Sequence, residues 1–392
     1  MERPPIYPYF YPITRVSKDR NRRALRHGAT IPDEIRIAQE ARPRFEGHDQ
    51  PLIHCLGDIS LRYWDDADPD AMRMQTELAA QYGVDGFIFD SFMGAKHGKP
   101  TNEMGHIIDD SFLKERASNG LFFGLMSIFA GPRAVLPLPT LRYKERKRVY
   151  DISRQSVEII VDKSARHYWT RDEYIRVNDR PYHSVFVPLN RTKSRRDDLH
   201  IYETIEYMKE YADKTYGINP YLVAVSQGAD QAEPLIKKGA DAVTSYALLP
   251  DFSAKATPIQ DYAMMVDRSE GEWQNMHTRL DVPYVPTVVV GWDATARTSN
   301  DIAFENGVGM YPFTPIIHGG TRALFGEMLR RQYAYLKANV PVSEQYIPVN
   351  AWNEITEGSS LLPRIRSDGT VDSGLLEEIK AFSEDIVKNN IA

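Results

Sequence analysis

The sequence predicts an α/β fold: a (β/α)8 TIM barrel with an elaborated first βα loop, formed as one domain over residues 1–392. Two observations support this. Short apolar runs alternate with amphipathic helical stretches from about residue 69 onward, which is typical of parallel βαβ units. The length of 392 residues is one that α/β barrels commonly use as a single domain.

Nine apolar runs along the chain qualify as strands, one more than the barrel needs. We set aside the run at 51–57, because no amphipathic helix links it to the first run and because it carries His54, Cys55 and Gly57. The other runs predict barrel strands near residues 6, 84, 121, 181, 220, 241, 285 and 346. An open doubly wound sheet is the alternative, but the chain has neither a GxGxxG nor a GxxxxGK[ST] loop.

Apolar residues at helical spacing predict the connecting helices. A helix at 69–82 has Pro69 near its start and Ala71, Met74 and Leu78 along one stripe. The other predicted helical stretches cover about 102–118, 143–172, 198–216, 232–239, 257–280, 319–339 and 373–388. The polar, Arg-rich segment at about 14–50 predicts a solvated loop or a subunit contact.

Composition limits the classes of partner. The net charge is −6 and the isoelectric point is near 6.0, so we expect no nucleic-acid partner and no anionic membrane surface. Cys55 is the only cysteine, which excludes an internal disulfide and suits a reducing compartment. With no signal pattern at the start and no run of ~20 apolar residues, the expected location is cytoplasmic. The oligomeric state is not predicted.

The stretch VNAWNEITEG at 349–358 carries the main chemical signal. It ends an apolar run and places Glu354 and Glu357 three residues apart. A helical turn there would put both carboxyl groups on one face, with Cβ atoms roughly 5–6 Å apart. Glycoside cleavage uses such a pair, one protonated and one ionised. The alternative is an ordinary acidic pair at a helix start, where the helix dipole favours negative charge.

Polar and aromatic residues also follow other strands, and barrel active sites lie at the C-terminal ends of strands. A carbohydrate substrate is suggested by the 22 Tyr and 5 Trp, since aromatic rings offer platforms for sugars. Histidines are scattered without HExxH or HxH, so we expect no metal and no cofactor. In AVSQGAD, Ala224 stands where the GxSxG nucleophile elbow has its first glycine, which argues against a serine hydrolase with Ser226 as its nucleophile. The predicted substrate-binding residues are Tyr9, Tyr11, Asp58, Asp90, Tyr246, Trp292, Asp293, Trp352 and Asn353.

Four stretches resemble barrel proteins related to glycoside hydrolase family 99, including the WbsX-like glycosyltransferases. Their order and spacing agree over nearly the whole chain. They are GDISLRYWDDADPDAMRMQTELAAQYGVDGFIFDSF at 57–92, RVNDRPYHSVFVP at 176–188, VVVGWDATAR at 288–297 and AWNEITEGSSLLP at 351–363.

The resemblance implies retaining cleavage of an α-glycosidic bond in a glycan or polysaccharide. Glu354 would act as base on the 2-hydroxyl of the substrate, giving a 1,2-anhydro sugar, and Glu357 as general acid and then base. Ile355 stands where the family usually has Trp, which implies a different wall of the sugar pocket. A WbsX-like glycosyltransferase of polysaccharide biosynthesis and a non-catalytic carbohydrate-binding barrel are the alternatives.

Overall fold

The protein is represented by a computed structural model. It describes residues 3–13, 34–56, 59–60, 65–96, 98–103, 106–115, 119–129, 137–138, 140, 151–186, 198–253 and 255–391.

Parallel strands form the barrel in the predicted order. Their alternation with helices gives an α/β fold and confirms the predicted fold class. Each strand pairs in parallel with its neighbour, and the first also pairs with the last. The strands are β1 Ile6–Phe10, β2 Gly86–Lys96, β3 Phe122–Ile128, β4 Arg180–Phe186, β5 Tyr221–Val225, β6 Ala242–Thr244, β7 Tyr284–Val285 with Val288–Val289, and β8 Ile347–Asn350.

Strand β7, which closes the barrel, consists of two short segments. Tyr284–Val285 pairs with β6, whereas Val288–Val289 pairs with β8. Pro286 lies between the halves and has no N–H to donate to a ladder, which accounts for the break. The nine paired strands of the sheet order therefore correspond to eight barrel strands, because its first and last members belong to one segment.

Helices surround the barrel close to their predicted positions. Ser153 and Thr321 cap two of these helices at their N-termini through their side chains, as their residue types favour. The helices are α1 Glu34–Glu40, α2 Pro69–Gln81, α3 Arg154–His167, α4 Glu203–Tyr216, α5 Ala229–Ile236, α6 Tyr262–Arg279, α7 Arg322–Asn339 and α8 Gly374–Ile391.

Two predictions for connecting segments are corrected. Asn102 and Glu103, predicted as the start of a helix, belong instead to the strand Lys99–Glu103, which pairs antiparallel with the end of β2; residues 106–115, the rest of the described part of 102–118, are helical as predicted. The long extension of β2 offers this segment backbone partners that its side-chain pattern does not reveal. In the segment at 14–50, predicted as a solvated loop or subunit contact, residues 34–50 contain α1, whose Ile35 is buried, whereas residues 14–33 lie outside the described residues.

The first βα loop is elaborated, as predicted. It runs from β1 to α2 and contains α1 together with the strand Cys55–Leu56. This short strand pairs antiparallel with Ile59–Ser60 outside the barrel, which confirms that the run at 51–57 is not a barrel strand. Cys55 is a buried free thiol. Across the ranges described above, no helix has both the length and the apolar character needed to cross a membrane.

A substitution at Met328 measures how much the packing of the helices against the barrel stabilises the fold. This residue of α7 is fully buried, and its sulfur lies 3.5 Å from the backbone nitrogen of Val289 in β7. We expect Met328→Ala to lower the free energy of unfolding by about 2–5 kcal/mol, because a buried side chain is replaced by a cavity. Urea denaturation measures the change. Met264→Ala on α6 is the matched control, since Met264 is 70% exposed. An equal loss of unfolding free energy in both variants would contradict the role of buried Met328 in packing α7 against β7.

Candidate active site

The turn after β8 carries the two predicted catalytic carboxyl groups. Residues Ile355–Glu357 form one 3₁₀ turn, in which side chains at i and i+3 lie above one another. The helical turn expected after Asn353 is therefore present. Gly358 ends the turn at a φ of +67°, and a Cβ there would lie 2.9 Å from the backbone nitrogen of Asp293, so only glycine fits. The Asp293 N–H also donates to the Glu357 carbonyl oxygen at 2.7 Å.

Arg297 joins the two carboxyl groups. Its Nη2 lies 3.2 Å from Glu354 Oε2, and its Nη1 donates to Glu357 Oε1. Its Nε donates to Thr356 Oγ1 at 2.9 Å. Because one planar guanidinium contacts both, the two carboxyl groups lie side by side. Glu354 and Glu357 are 5% and 9% exposed, so the pair lies within the protein and not on a solvated helix face.

A third carboxylate reaches this cluster from the first βα loop. Glu34 of α1 lies 4.0 Å from Arg297 Nη2. Its Oε1 accepts a hydrogen bond from the Tyr11 hydroxyl at 3.0 Å, and its Oε2 accepts one from Thr356 Oγ1 at 2.9 Å. The loop is therefore tied to the turn that carries the predicted catalytic pair.

Tyr246 links Glu354 to a fourth carboxyl group. Its hydroxyl lies 2.8 Å from Glu354 Oε1 and 3.2 Å from Asp90 Oδ2. A phenol has one proton to donate, so both contacts are hydrogen bonds only if one of the carboxyl groups is protonated. The other oxygen of Asp90, Oδ1, is buried and has no hydrogen-bond partner among the described residues.

Burial and mutual repulsion shift the acidity of these groups. Burial, and then the charge of Glu357, raise the pKa of Glu354 to about 8, although Arg297 opposes the shift. Burial, and then Glu354, raise the pKa of Asp90 well above its usual value. Burial alone would lower the pKa of Arg297, but the surrounding negative charge of Glu357 and its neighbours holds it well above the usual value. Glu354 therefore holds its proton near neutral pH while Arg297 stays charged.

Tyr311 completes the contacts of Glu357. Its hydroxyl donates to Glu357 Oε1 at 3.1 Å and accepts from Arg297 Nη1 at 2.8 Å. The Tyr311 ring lies 6.4 Å from the ring of Trp292, one of the predicted substrate-binding residues. Trp292 is thus brought near the carboxyl cluster through Tyr311.

Asp293 makes its contacts on the other side of the turn. Its Oδ2 lies 2.6 Å from His48 Nε2, and its Oδ1 accepts from the Thr295 hydroxyl and backbone N–H. Burial raises the pKa of Asp293, but the hydrogen bond and charge of His48 outweigh it, so the pKa lies below its usual value. The described contacts of Asp293 hold the loop after β7, and its role in substrate binding stays a prediction.

Three other predicted substrate-binding residues, Trp352, Asn353 and Tyr9, contact neighbouring residues of the protein. Trp352 is fully buried, and its indole N–H donates to Gln75 at 2.9 Å. Asn353 exchanges two hydrogen bonds of 2.8 Å with the backbone of Tyr11, which fastens the ends of β1 and β8 together. The Tyr9 ring packs 4.8 Å from that of Tyr246.

Asp58 and Ile355 are two further positions that the sequence analysis names. Asp58 lies outside the described residues. Ile355, which stands where the resemblance leads us to expect Trp, is 2% exposed.

Glu34 and Tyr311 belong to the cluster but are not identified from sequence. Pro32 and Asp33 precede Glu34, which is a helix-start signal, but such a signal does not predict a catalytic neighbour. Tyr311 lies in a turn-rich segment without periodicity. Within the described ranges, no group of three or more His, Cys, Asp or Glu residues could hold a metal ion.

Comparison with known proteins identifies the family. The family model described as "Glycosyltransferase WbsX" matches residues 31–97 and 150–371, about three quarters of the chain. The chain belongs to the WbsX family. A curated relative, the uncharacterized protein WxcX of Xanthomonas campestris pv. campestris (strain B100), is 24% identical over 357 residues, covering 85% of this chain and 44% of that protein. This WbsX chain therefore spans less than half the length of that relative.

Solved structures support the fold. The family 99 endo-α-mannosidase of Bacteroides thetaiotaomicron matches with a TM-score of 0.58 at 12% identity, covering 99% of this chain and 98% of that one. The same type of enzyme in complex with bis-tris propane matches with a TM-score of 0.56 at 11% identity, covering 100% and 99%. These matches show that the chain shares the fold of family 99 barrels.

The raised pKa of Glu354 predicts how stability depends on pH. The folded protein keeps this proton up to pH about 8, whereas the unfolded chain releases it near its ordinary value of 4.5. Between these values the folded state binds more protons, so this group makes stability fall as pH rises. The free energy of unfolding of Glu354→Gln should therefore fall less steeply with pH than that of wild type, by up to about 1.4 kcal/mol per pH unit. Urea denaturation from pH 5 to 9 measures it.

Glu305→Gln is the control for this prediction, since Glu305 is exposed. Its stability should follow the wild-type pH dependence. Identical curves for Glu354→Gln and wild type would contradict the buried, protonated state of Glu354.

Proposed function

We propose that this WbsX-family protein is a glycoside hydrolase that cleaves an α-glycosidic bond in a glycan or polysaccharide, with Glu354 and Glu357 as its catalytic pair. One observation carries the proposal. Two buried carboxyl groups share Arg297 on a glycine-terminated turn at the C-terminal end of β8. That end of the strands is where barrel enzymes place their chemistry. Glycoside cleavage uses a protonated carboxyl group next to an ionised one.

The contacts of Glu357 suit a general acid and base. Arg297 and Tyr311 both reach its Oε1. No described residue donates a hydrogen bond to its Oε2, so this oxygen is available to the glycosidic oxygen of a substrate. Proton transfer needs this kind of direct reach between the acid and the leaving group. We therefore assign to Glu357 the protonation of the leaving group and the later activation of water.

Glu354 would act as the base on the substrate 2-hydroxyl. Both of its oxygens have partners within the protein, Tyr246 on Oε1 and Arg297 on Oε2. A substrate hydroxyl would therefore replace or join one of these contacts. Because Glu354 holds a proton near neutral pH, it acts as base only after this proton has moved to Glu357, which then carries the proton that the leaving group needs.

Glu357→Gln tests the catalytic pair. Loss of the transferable proton should lower the release of reducing sugar by at least about 10²-fold, measured on a glycan panel without any nucleotide donor. The melting temperature should change little, because an amide keeps the shape of the side chain. Glu305→Gln, at an exposed site, should keep full activity. Full activity in Glu357→Gln would exclude the proposed mechanism.

The pH profile tests the shared proton of the pair. The reaction needs one ionised and one protonated carboxyl group, so kcat/KM should fall as pH rises through about 8, where the pair loses its last proton. Measurement of kcat/KM from pH 5 to 10 checks this, and a profile that rises or stays flat across pH 8 would contradict it.

A glycosyltransferase is the second candidate, and the name of the matching family model favours it. A transferase would consume a nucleotide-activated sugar and would not release reducing sugar from a glycan alone. Incubation with each class of donor distinguishes the two reactions. A non-catalytic carbohydrate-binding barrel would bind a glycan but turn over neither class.

A further inference from the structure

Glu34 is a buried acid that the proposed reaction does not use. It begins α1 in the first βα loop and is 4% exposed. A carboxyl group in the protein interior is costly unless hydrogen bonds replace the lost water. Its Oε1 accepts from the Tyr11 hydroxyl at 3.0 Å, and its Oε2 accepts from the Thr356 hydroxyl at 2.9 Å. Thr356 lies between Glu354 and Glu357 in the sequence, so Glu34 contacts the turn that carries the catalytic pair.

The Thr356 hydroxyl connects Glu34 to Arg297. The Nε–H of Arg297 can only donate, and Nε lies 2.9 Å from Thr356 Oγ1, so Oγ1 accepts this bond. The single proton of the hydroxyl is then donated to Glu34 Oε2. A hydroxyl turned the other way would set its proton against the Arg297 N–H. Glu34 therefore fixes the direction in which Thr356 accepts from Arg297.

The position of Arg297 decides how its charge is divided between the two carboxyl groups. Nη1 donates to Glu357 Oε1, whereas Nη2 lies 3.2 Å from Glu354 Oε2 and 4.0 Å from Glu34 Oε2. Because the guanidinium is planar and rigid, a fixed Nε also fixes where both Nη atoms reach. Glu34 thus acts on the pair in two ways, through the hydrogen bonds of Thr356 and through its own charge beside Arg297.

Groups from several elements set the charge state of Glu354. Burial and then Glu357 raise its pKa, Arg297 lowers it, and the negative charge of Glu34 raises it further. The titratable and charged side chains that face Glu354 or Glu357 are Glu34 of α1, Asp90 of β2, Tyr246 after β6, and Arg297 and Tyr311 of the loop after β7. A neutral side chain at position 34 should therefore let Glu354 release its proton at a lower pH.

We propose that Glu34 is a positioning residue for the catalytic pair. Through Thr356 it holds Arg297 against the two carboxyl groups, and its negative charge helps them to keep their shared proton. The inference rests on the proposed function, in which the pair must hold one proton and lose it to the leaving group. It makes α1, and with it the first βα loop, part of the catalytic machinery without giving Glu34 a step in the reaction.

A double-mutant cycle measures the effect of Glu34 on Glu354 without any substrate. Urea denaturation from pH 5 to 9 is compared for wild type, Glu34→Gln, Glu354→Gln and the double variant. In the wild-type background, the contribution of Glu354 to the pH dependence of stability extends up to pH about 8. In the Glu34→Gln background it should end at least ~0.5 pH unit lower, because one neighbouring negative charge is gone. The amide keeps the size of the side chain and an oxygen that accepts from Thr356.

Glu40→Gln is the matched control on the same helix. Glu40 is exposed at the other end of α1, so the contribution of Glu354 should end at the wild-type pH in this background. The same end point in Glu34→Gln and wild type, or an equal shift in Glu40→Gln, would overturn the proposal. Because this cycle needs no turnover, its failure is distinguishable from a failure of the hydrolase proposal.

Thr356→Val tests the hydrogen-bonded link separately from the charge of Glu34, and it also tests the proposal if Glu34→Gln does not fold. On a glycan that the wild type cleaves, kcat/KM should fall at least ~10-fold, because Arg297 loses the partner that positions it. Thr356→Ser keeps the hydroxyl and should lose less. Equal losses in the two variants, or no loss in either, would contradict the link. On the same glycan, the fall of kcat/KM with pH should move to lower pH in Glu34→Gln but not in Glu40→Gln.

Discussion

The candidate active site depends on one buried positive charge. Arg297 lies among Glu34, Glu354 and Glu357, and removing any charge from water is costly unless partners replace the water. One guanidinium cannot neutralise three carboxylates. Burial, together with this excess of negative charge, raises the pKa values of Glu354 and Asp90. The proton that the proposed chemistry needs is therefore kept by burial and by the shortage of positive charge together.

The barrel supplies each member of the cluster from a different element. Glu34 comes from α1, Asp90 from β2, Tyr246 from the end of β6, Arg297 from the loop after β7 and the Glu pair from the turn after β8. None of these elements could stabilise the arrangement alone, since each contributes one or two of the partners. The hydrogen bonds from Asn353 to the Tyr11 backbone and from Asp293 to the Glu357 carbonyl fix the turn in place. Rigid support of this kind is what a catalytic pair needs.

The sequence predicts features that depend on continuous local patterns. The eight strands are apolar runs of the right length, and the 3₁₀ turn follows from a short polar stretch closed by Gly358, so both are predictable. Lys99–Glu103 is not, because its pairing with the end of β2 comes from tertiary contact. Glu34 and Tyr311 meet the Glu pair across long sequence separations, which no local pattern records. The hydrogen bond of Trp352 is equally unpredictable, since its indole N–H donates to Gln75 of α2, a buried residue far away in the sequence.

The pairing of β1 with β8 has a consequence for how the protein is made. Ile6 pairs with Ile347, so the first strand of the barrel to leave the ribosome waits for the eighth. Until then one edge of β1 has no neighbour, and such open edges favour association with other chains. The carboxyl cluster cannot assemble earlier either, because Glu354 and Glu357 follow β8. Barrel closure and assembly of the carboxyl cluster therefore both depend on synthesis of β8 and the turn that follows it.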